Sequence, residues 1–221
     1  MLDLAALKAD KEVDAIMTMS EKQIEALGFT EHSKRHSGIV SKWSGDILRA
    51  LHAEPDRIRL AEIAGYLHDI GNCINRKDHA QSGAILAYKI LTRLGMDSTD
   101  AAEIMMAIGN HDEQYGLPVS DVSAALIIAD KGDVHKSRVK NNITNVSLAN
   151  IHDRVNLAVE KSFLTVDDQL RVIALHIEID TAICSVMDYF EIYFNRMQLC
   201  RRAAEFLNCK FSLIINGTTL L

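Results

Sequence analysis

An almost wholly apolar run that ends in a histidine and an aspartate is the feature that most constrains this chain. Residues 61–72 read AEIAGYLHDIGN. A helix that is apolar on most of its circumference must be buried on most sides, so other elements have to surround it. A carboxylate at the end of such a helix is costly to bury unless another group pairs with it. The fold must therefore bring a compensating charge to Asp69.

Two later stretches repeat the pattern. DAAEIMMAIGNHD ends in His111 and Asp112, and DVSAALIIAD ends in Asp130. Ile104, Ile108 and His111 recur at helical spacing, which directs His111 toward the core. A single inward histidine is more often a hydrogen-bonded core residue than a ligand, and a single buried aspartate can form an internal salt bridge. Several such groups that converge need a shared cation. Mixed imidazole and carboxylate ligands favour Mn, Fe or Zn, while Mg stays an option.

Length and charge limit the classes of function. The 221 residues suit one large domain, or one domain with a small appendage. The net charge of −6 argues against a protein that binds bulk nucleic acid or membrane surfaces. The longest apolar run, SAALIIA, is too short to cross a bilayer, and the N-terminus lacks the pattern of a signal peptide. We expect a cytoplasmic protein with reduced cysteines.

Most of the first 145 residues read as helices. Helix starts are predicted by capping residues and by a proline suited to a first turn: Ser20, Thr30, Pro55, Asp78, Ser98 or Thr99, and Ser120. No glycine- or serine-rich linker interrupts this region. The sequence therefore predicts an all-helical body over residues 1–145.

The pattern changes toward the C-terminus. In RVIALHIEID, residues 171–180, apolar and polar side chains alternate as in a half-buried strand. RVNLAVEKSFLTV, residues 154–166, suits a partner strand, and a long amphipathic helix and a short strand, KFSLIING, follow. The predicted fold class is mainly α, with a small C-terminal α+β subdomain over residues 146–221. We expect this subdomain to be β-β-α-β with an antiparallel sheet.

The ligand-type residues occur in an order that resembles a known family, the HD-domain metal-dependent phosphohydrolases. The resemblance covers about residues 30–135. The matching residues, in chain order, are His36, His68, Asp69, His79, His111 and Asp130. A histidine–aspartate pair alone is unspecific, but the ordered set in a helical context is specific.

Two subfamilies within this resemblance can be compared. HAQSGA, AIGNHDEQYG and IIADK look closest to bacterial HD hydrolases that cleave dinucleoside tetraphosphates. The related cyclic-dinucleotide phosphodiesterases usually carry a lysine where this chain has Asn72. They also carry a Gly-Tyr-Pro element where this chain has YGLP. These departures disfavour the phosphodiesterase activity and leave the substrate open.

The resemblance implies two adjacent metal sites that share a bridging carboxylate. The residues of the first site are His36, His68, Asp69 and Asp130. Those of the second are Asp69, His79, His111 and, as a further candidate, Asp112. Catalytic roles fall to Asp69, His79 and His111. With one ion only, His79 or His111 would act as the general acid. His32 is the alternative to His36, one helical turn earlier, but His36 begins the longer match.

An anionic substrate needs positive charge near the metal ligands. DKGDVHKSRVK, residues 130–140, supplies it directly after Asp130. Lys131 is nearest to the ligands, and Arg138 suits two-pronged binding of a phosphate. Asn72 and Asp112 are further candidates for substrate contact. The alternative for this basic segment is a solvated helix end.

These features predict a hydrolase that acts on a phosphate ester or anhydride in a small metabolite or nucleotide. Two metal ions would activate the attacking water, and no protein nucleophile is needed. The alternative is a non-catalytic ligand-binding or scaffold protein that acts through its C-terminal subdomain. In that case four aromatic residues of the long helix would form a partner face or the interface of a homodimer: Tyr189, Phe190, Tyr193 and Phe194.

Overall fold

The computed structural model describes residues 2–28, 34–139 and 151–220. Over these residues the chain is mainly helical and a small sheet follows, which confirms the predicted fold class. The helices are α1 (Leu4–Ala9), α2 (Lys11–Ala26), α3 (Lys34–Ala50), α4 (Pro55–Leu67), α5 (His79–Arg93), α6 (Ser98–Gly109), α7 (Asp121–Gly132), α8 (Ile151–Ala158) and α9 (Val186–Phe206). The strands are β1 (Val159–Asp167), β2 (Val172–Ile179), β3 (Lys210–Ile215) and β4 (Thr218–Thr219). Two short 3-10 helices occupy Ile70–Cys73 and Lys136–Arg138.

Local sequence explains where two of the central helices begin. Pro55 occupies the first turn of α4, where its missing amide proton costs nothing and its fixed φ angle suits the helix. Ser120 caps α7, and its hydroxyl accepts a hydrogen bond from the Ser123 amide at 3.1 Å. Both starts agree with the sequence prediction.

The predicted helix start at Ser20 is wrong. Asp10 caps α2 instead, and its carboxylate accepts hydrogen bonds from the first amides of that helix. Ser20 lies inside α2, where its hydroxyl donates to the Ile70 carbonyl at 3.2 Å. Ser20 therefore does not cap a helix, and its hydroxyl instead forms a buried contact between α2 and the first 3-10 helix. The start predicted at Thr30 lies outside the described residues.

The apolar helices α4 and α7 form the centre of the helical body. Helices α3 and α6 pack against both of them, and α5 packs on α6 and on the first 3-10 helix. Several side chains of α4 and α7 have no exposed surface: Ala61, Ile63, Ala64, Leu67, Leu126, Ile127 and Ile128. This enclosure accounts for the two runs that are apolar on most of their circumference.

Helices α3 and α4 approach each other closely at Gly65. A Cβ atom on Gly65 would lie 2.7 Å from the Ser41 Cα atom and 2.8 Å from the Ser41 amide nitrogen. Neither backbone atom can move without moving α3, so only glycine permits this crossing. Because His36 lies on α3 and His68 follows α4, the crossing fixes the distance between these two histidines.

The C-terminal sheet has the strand order β1-β2-β3-β4. β1 and β2 form an antiparallel hairpin in which Leu164 pairs with Leu175, and β4 pairs antiparallel with β3. The central pairing corrects the expectation of a wholly antiparallel sheet, because β2 and β3 are parallel. Helix α9 has 21 residues, a length of roughly 30 Å. It carries the chain back along the sheet, so β3 begins at the end where β2 begins.

The first strand is shorter than the sequence pattern indicated. Residues up to Ala158 belong to α8, and β1 starts at Val159. Ile151, Val155 and Ala158 recur at helical spacing, and the last two are fully buried. A helical period therefore fits the start of this stretch as well as the alternation of a strand does.

The helical body and the C-terminal elements share one hydrophobic core. α9 packs against α7 and β3, and β1 contacts α3 and α7. Apolar side chains from α7, the sheet and α9 belong to one buried cluster. The predicted domain boundary at residues 145 and 146 lies outside the described residues, so the division into two domains stays a prediction. Among the described residues, no helix combines the length and the apolar character needed to cross a membrane.

Candidate metal centre

The six predicted metal ligands meet in the interior of the helical body. They come from five separate segments: α3, the end of α4, the start of α5, the end of α6 and the C-terminal half of α7. The six residues are His36, His68, Asp69, His79, His111 and Asp130. Five of them are buried, and the side chain of Asp130 is only 11% exposed. Residues distant in the sequence therefore converge, and that they bind a metal stays a prediction.

The first group consists of two histidines and two aspartates. The Nε2 atom of His36 lies 3.3 Å from an Asp130 oxygen and 3.8 Å from an Asp69 oxygen. The Nε2 atom of His68 lies 3.4 Å from the same Asp69 oxygen and 3.5 Å from the same Asp130 oxygen. Two imidazole nitrogens and two carboxylate oxygens thus surround one small volume.

The second group lies on the other side of Asp69. The Nε2 atom of His79 is 3.4 Å from Asp69 Oδ1 and 3.2 Å from the Nε2 atom of His111. The rings of His68 and His111 meet edge to face, with centroids 5.1 Å apart. Asp69 therefore directs Oδ2 to the first group and Oδ1 to the second, which is the arrangement expected of a bridging carboxylate.

A glycine brings His79 next to Asp69. Gly71 lies in the first 3-10 helix, two residues after Asp69. A Cβ atom on Gly71 would lie 2.0 Å from the His79 carbonyl oxygen and 2.5 Å from the Gly83 amide nitrogen. The first turn of α5 can pack directly on this segment only because residue 71 has no side chain.

The other ring nitrogen of each histidine is already engaged. Each Nδ1 atom donates a hydrogen bond to an oxygen, at 2.6 to 3.0 Å, which directs Nε2 at the centre. The donor and acceptor pairs are His36 with the Asp133 carboxylate, His68 with the Gly65 carbonyl, His79 with the Arg76 carbonyl, and His111 with the Ile108 carbonyl. Such contacts orient histidine ligands in metal sites.

The spacing and chemistry of these donor atoms fit a divalent metal. Ligand atoms bound at about 2.1 Å stand roughly 3.0 to 3.4 Å apart around one ion, close to the separations of 3.2 to 3.8 Å seen here. The facing Nε2 atoms of His79 and His111 are both acceptors when their Nδ1 atoms donate. Two facing lone pairs repel, and a cation bound between them would remove that repulsion.

The pKa shifts divide the histidines into two kinds. Burial lowers the pKa of His68, but the carboxylates of Asp69 and Asp130 outweigh burial and raise it to about 10. Burial and the neighbouring imidazoles hold the pKa of His111 well below its usual value, and burial also lowers the pKa of His79. In the metal-free chain at neutral pH, His68 is therefore charged, whereas His79 and His111 are neutral.

Asp130 is held by a chain of charges behind the ligands. Lys131 Nζ lies 2.7 Å from Asp130 Oδ2 and 2.7 Å from Glu113 Oε2. The Nε atom of Arg196, on α9, donates to Glu113 Oε1 at 2.9 Å. Burial raises the pKa of Asp130, but the charge of Lys131 and hydrogen bonds from His36 and His68 hold it well below its usual value.

The residues predicted to contact the substrate differ in their exposure and in their contacts. The Lys131 side chain is only 8% exposed. Asn72 is buried and accepts a hydrogen bond from Arg76 at 3.3 Å. Asp112 lies 3.6 Å from the Nδ1 atom of His79. The Arg138 side chain and the alternative ligand His32 lie outside what the structure describes, so both stay predictions.

Sequence reasoning missed four residues around the cluster. Asp133 orients His36, and Arg76 lies 3.6 Å from Asp69 Oδ1. Glu113 and Arg196 complete the charge chain. The spacing of Asp133, one helical turn after Asp130, and the position of Arg76 between two ligands were usable signals. The pairing of Glu113 with Arg196 spans 83 residues and has no local sequence signal.

Comparisons with known proteins found a family model, a curated relative and a solved structure that are similar to parts of this chain. The family model described as HD domain matches residues 29–135. An uncharacterized protein of Methanocaldococcus jannaschii is 28% identical over 152 residues, which are 58% of this chain and 58% of that protein. The crystal structure of a predicted HD superfamily hydrolase from an uncultured Thermotogales bacterium is 25% identical. It covers 61% of this chain and 75% of its own, with a TM-score of 0.45.

Proposed function

Because this chain belongs to the HD-domain superfamily, we propose that it is a metal-dependent hydrolase of a phosphate ester or anhydride in a small metabolite or nucleotide. The position of Asp69 carries the proposal. Its two oxygens face two groups of imidazole nitrogens in the same buried volume. Two divalent ions bound there would convert water to hydroxide near neutral pH and offset negative charge on a phosphoryl group.

Each of the six candidate ligands has a role in this proposal. His36, His68 and Asp130 would hold a first ion, His79 and His111 would hold a second, and Asp69 would serve both groups. The metals that suit these ligands are Mn, Fe or Zn, with Mg as an option. The Asp69 carboxylate lies between the two groups of histidines and would therefore place the two ions next to each other.

The lowered pKa values of His79 and His111 favour ligation over proton donation. A neutral imidazole binds a metal, whereas a general acid must carry a proton at the working pH. Both residues have pKa values below the ordinary histidine value in the metal-free chain. The alternative in which one of them acts as general acid beside a single ion is therefore disfavoured.

Arg76 is the cation that we assign to substrate contact, because it lies next to Asp69 and is partly exposed. Its side chain is 27% exposed, and its guanidinium lies between Asp69 and Asn72. Lys131 is more enclosed and is engaged by two carboxylates, so we assign it to holding Asp130. Arg138 and Asp112 stay candidates for substrate contact. An anionic, phosphorylated small molecule is the ligand class that these groups suit.

The competing scaffold function receives less support. Tyr189 and Tyr193 are buried in the core, with stacked rings 4.8 Å apart. Of the four aromatic residues of α9 considered for a partner face, Phe194 is exposed. Half of the predicted face therefore consists of residues that pack internally and are not available to a partner. Homodimer formation stays a proposal that light scattering of the purified protein would test.

An activity screen with matched variants tests the proposed function. Metal-free protein is reconstituted with Mn²⁺, Fe²⁺, Zn²⁺ or Mg²⁺ and assayed with p-nitrophenyl phosphate, its diester, nucleotides and dinucleoside tetraphosphates. We expect metal-dependent release of phosphate or nucleotide, and a loss of about a thousandfold in Asp69→Asn. His52→Gln is the matched control, because His52 is exposed and pairs with Asp168 away from the cluster. Turnover that persists in Asp69→Asn would contradict the proposal.

A further inference from the structure

Helix α9 lies outside the residues that match the HD-domain model, yet it reaches the metal centre. We propose that Arg196 is a positioning residue of this centre, which acts through Glu113 and Lys131 to hold Asp130 in its ligating orientation. The inference rests on the proposed function, because it assumes that Asp130 binds a metal ion. It gives the C-terminal elements a role in the chemistry.

Three consecutive ion pairs connect α9 with the ligands. Arg196 Nε contacts Glu113 Oε1 at 2.9 Å, Glu113 Oε2 contacts Lys131 Nζ at 2.7 Å, and the same Nζ atom contacts Asp130 Oδ2 at 2.7 Å. Each carboxylate uses one oxygen for each neighbour. Asp130 therefore turns Oδ2 toward Lys131 and Oδ1 toward His36 and His68.

The four charges alternate in sign and are largely enclosed. The side chains of Lys131 and Asp130 are 8% and 11% exposed, and those of Glu113 and Arg196 are each 24% exposed. Buried charges need partners that offset their desolvation. Burial raises the pKa of Glu113, but the positive charges of Lys131 and Arg196 outweigh it and lower that pKa. The formal charges of the four side chains sum to zero, and the loss of any single one leaves a net charge.

The core of the C-terminal part fixes Arg196. Its guanidinium lies over the ring of Tyr193, 4.7 Å from the ring centroid. Tyr193 stacks on Tyr189, and both rings are buried. α9 itself packs against α7, the helix that carries Asp130 and Lys131. The position of the guanidinium is therefore set by packing, which makes it a rigid support for Glu113.

Loss of Arg196 would leave Lys131 as the remaining partner of Glu113 in this series of ion pairs. Lys131 would then be drawn toward Glu113, and Asp130 Oδ2 would lose its constraint. A ligating carboxylate that can rotate binds metal less well, and such outer contacts typically contribute tenfold to hundredfold in affinity. Removal of a positive charge should by itself tighten the binding of a cation. The sign of the change therefore separates positioning from simple electrostatics.

Metal affinity measured on the full chain tests the inference. The dissociation constant for Mn²⁺ is determined by competition with a chromophoric chelator for the wild type, Arg196→Met and Arg201→Met. Arg201 is the matched control, because it lies on the same helix, is exposed and pairs with Glu205. We expect Arg196→Met to weaken binding about tenfold and Arg201→Met to leave it unchanged.

Further variants show whether the effect passes through Glu113. Glu113→Gln should also weaken binding, and the double variant should be no weaker than the weaker single variant, because both changes break the same chain. Arg196→Lys should restore part of the affinity lost in Arg196→Met. If Arg196→Met does not fold, judged by circular dichroism, Arg196→Lys carries the test. An Arg196→Lys affinity below that of the wild type then supports the inference, and an equal affinity overturns it.

The outcomes for the two proposals are distinct. If the wild type binds Mn²⁺ and Arg196→Met binds it equally or more tightly, the role of Arg196 is overturned and the proposed function stands. Fully additive effects of Arg196→Met and Glu113→Gln would also overturn the route through Glu113. If the wild type binds no metal, the proposed function itself fails.

Discussion

At the scale of single residues, His68 shows how the cluster keeps its charges balanced without metal. Its imidazole lies between the carboxylates of Asp69 and Asp130, and they raise its pKa to about 10 against the opposing effect of burial. A proton on His68 therefore supplies positive charge that a metal ion would otherwise supply. Metal binding must displace this proton, since a ligating imidazole is neutral.

The balance at His68 predicts how stability depends on pH. A histidine whose pKa rises from 6.5 to about 10 on folding contributes stability that is complete below pH 6.5. That stability is lost as the pH rises through 10. Metal-loaded protein does not depend on this proton. We therefore expect the difference in Tm between Mn²⁺-loaded and chelator-treated protein to widen from pH 6.5 to pH 9.5, as measured by differential scanning fluorimetry.

A variant distinguishes His68 from the other titrating groups. His68→Gln should flatten the decline of Tm in the chelator-treated state, whereas His52→Gln should keep it, because His52 is exposed and remote from the cluster. A chelator-treated Tm that is constant or rises over this pH range would show that His68 is not the balancing charge.

The candidate ligands could be picked out from the sequence, but the residues that support them could not. Histidines and aspartates at the ends of apolar helices are unusual, and their order along the chain is specific. Glu113 is an ordinary surface residue by type, and Arg196 is one of several arginines on α9. Their importance comes from a contact between distant segments, which depends on how α9 packs on α7.

At the scale of the elements, the crossing of α3 and α4 sets the geometry of the first group of ligands. The two helix backbones touch at Gly65 and Ser41. The Ser41 hydroxyl also donates to the Glu62 carbonyl at 2.7 Å, which links the helices next to the crossing. A small outward shift of α3 would move His36 away from His68 and Asp130.

A methyl group at this crossing should therefore impair both stability and metal binding. In Gly65→Ala the new Cβ atom meets the backbone of Ser41, so the helices must separate. We expect a loss of about 1–3 kcal/mol in the free energy of unfolding, measured by urea denaturation of metal-free protein, together with weaker Mn²⁺ binding. The matched control is Gly38→Ala on α3, where nothing lies within 4 Å of the new methyl group.

Gly38→Ala should be neutral or stabilising by up to about 1 kcal/mol, because alanine favours a helix more than glycine does. Equal effects of the two glycine substitutions would mean that helix propensity, and not the close crossing, determines the outcome at residue 65.

The sequence predicted the helices better than it predicted the sheet. Helical periodicity and caps are local signals, and the starts of α4 and α7 follow from Pro55 and Ser120. The direction in which β3 pairs with β2 depends instead on the path of α9 between them. The residues of α8 fit a helical and a strand period alike, so only the packing of Val155 and Ala158 decides between them.

At the scale of the whole molecule, one core and one chain of charges join the helical body to the C-terminal elements. The core cluster contains residues of both parts, and Arg196 extends the connection to Asp130 through Glu113 and Lys131. The C-terminal part therefore supports the site from outside the residues that match the HD-domain model. The division of the two parts into separate domains stays a prediction.

The number of metal ions bound per chain tests the central claim most directly. Purified wild type, Asp69→Asn and the control His52→Gln are loaded with Mn²⁺, passed over a desalting column and analysed by inductively coupled plasma mass spectrometry. We expect about two ions per chain in the wild type and the control, and no more than one in Asp69→Asn, because Asp69 faces both groups of histidines. A wild type without bound metal, or an Asp69→Asn variant with the wild-type metal content, would contradict the account.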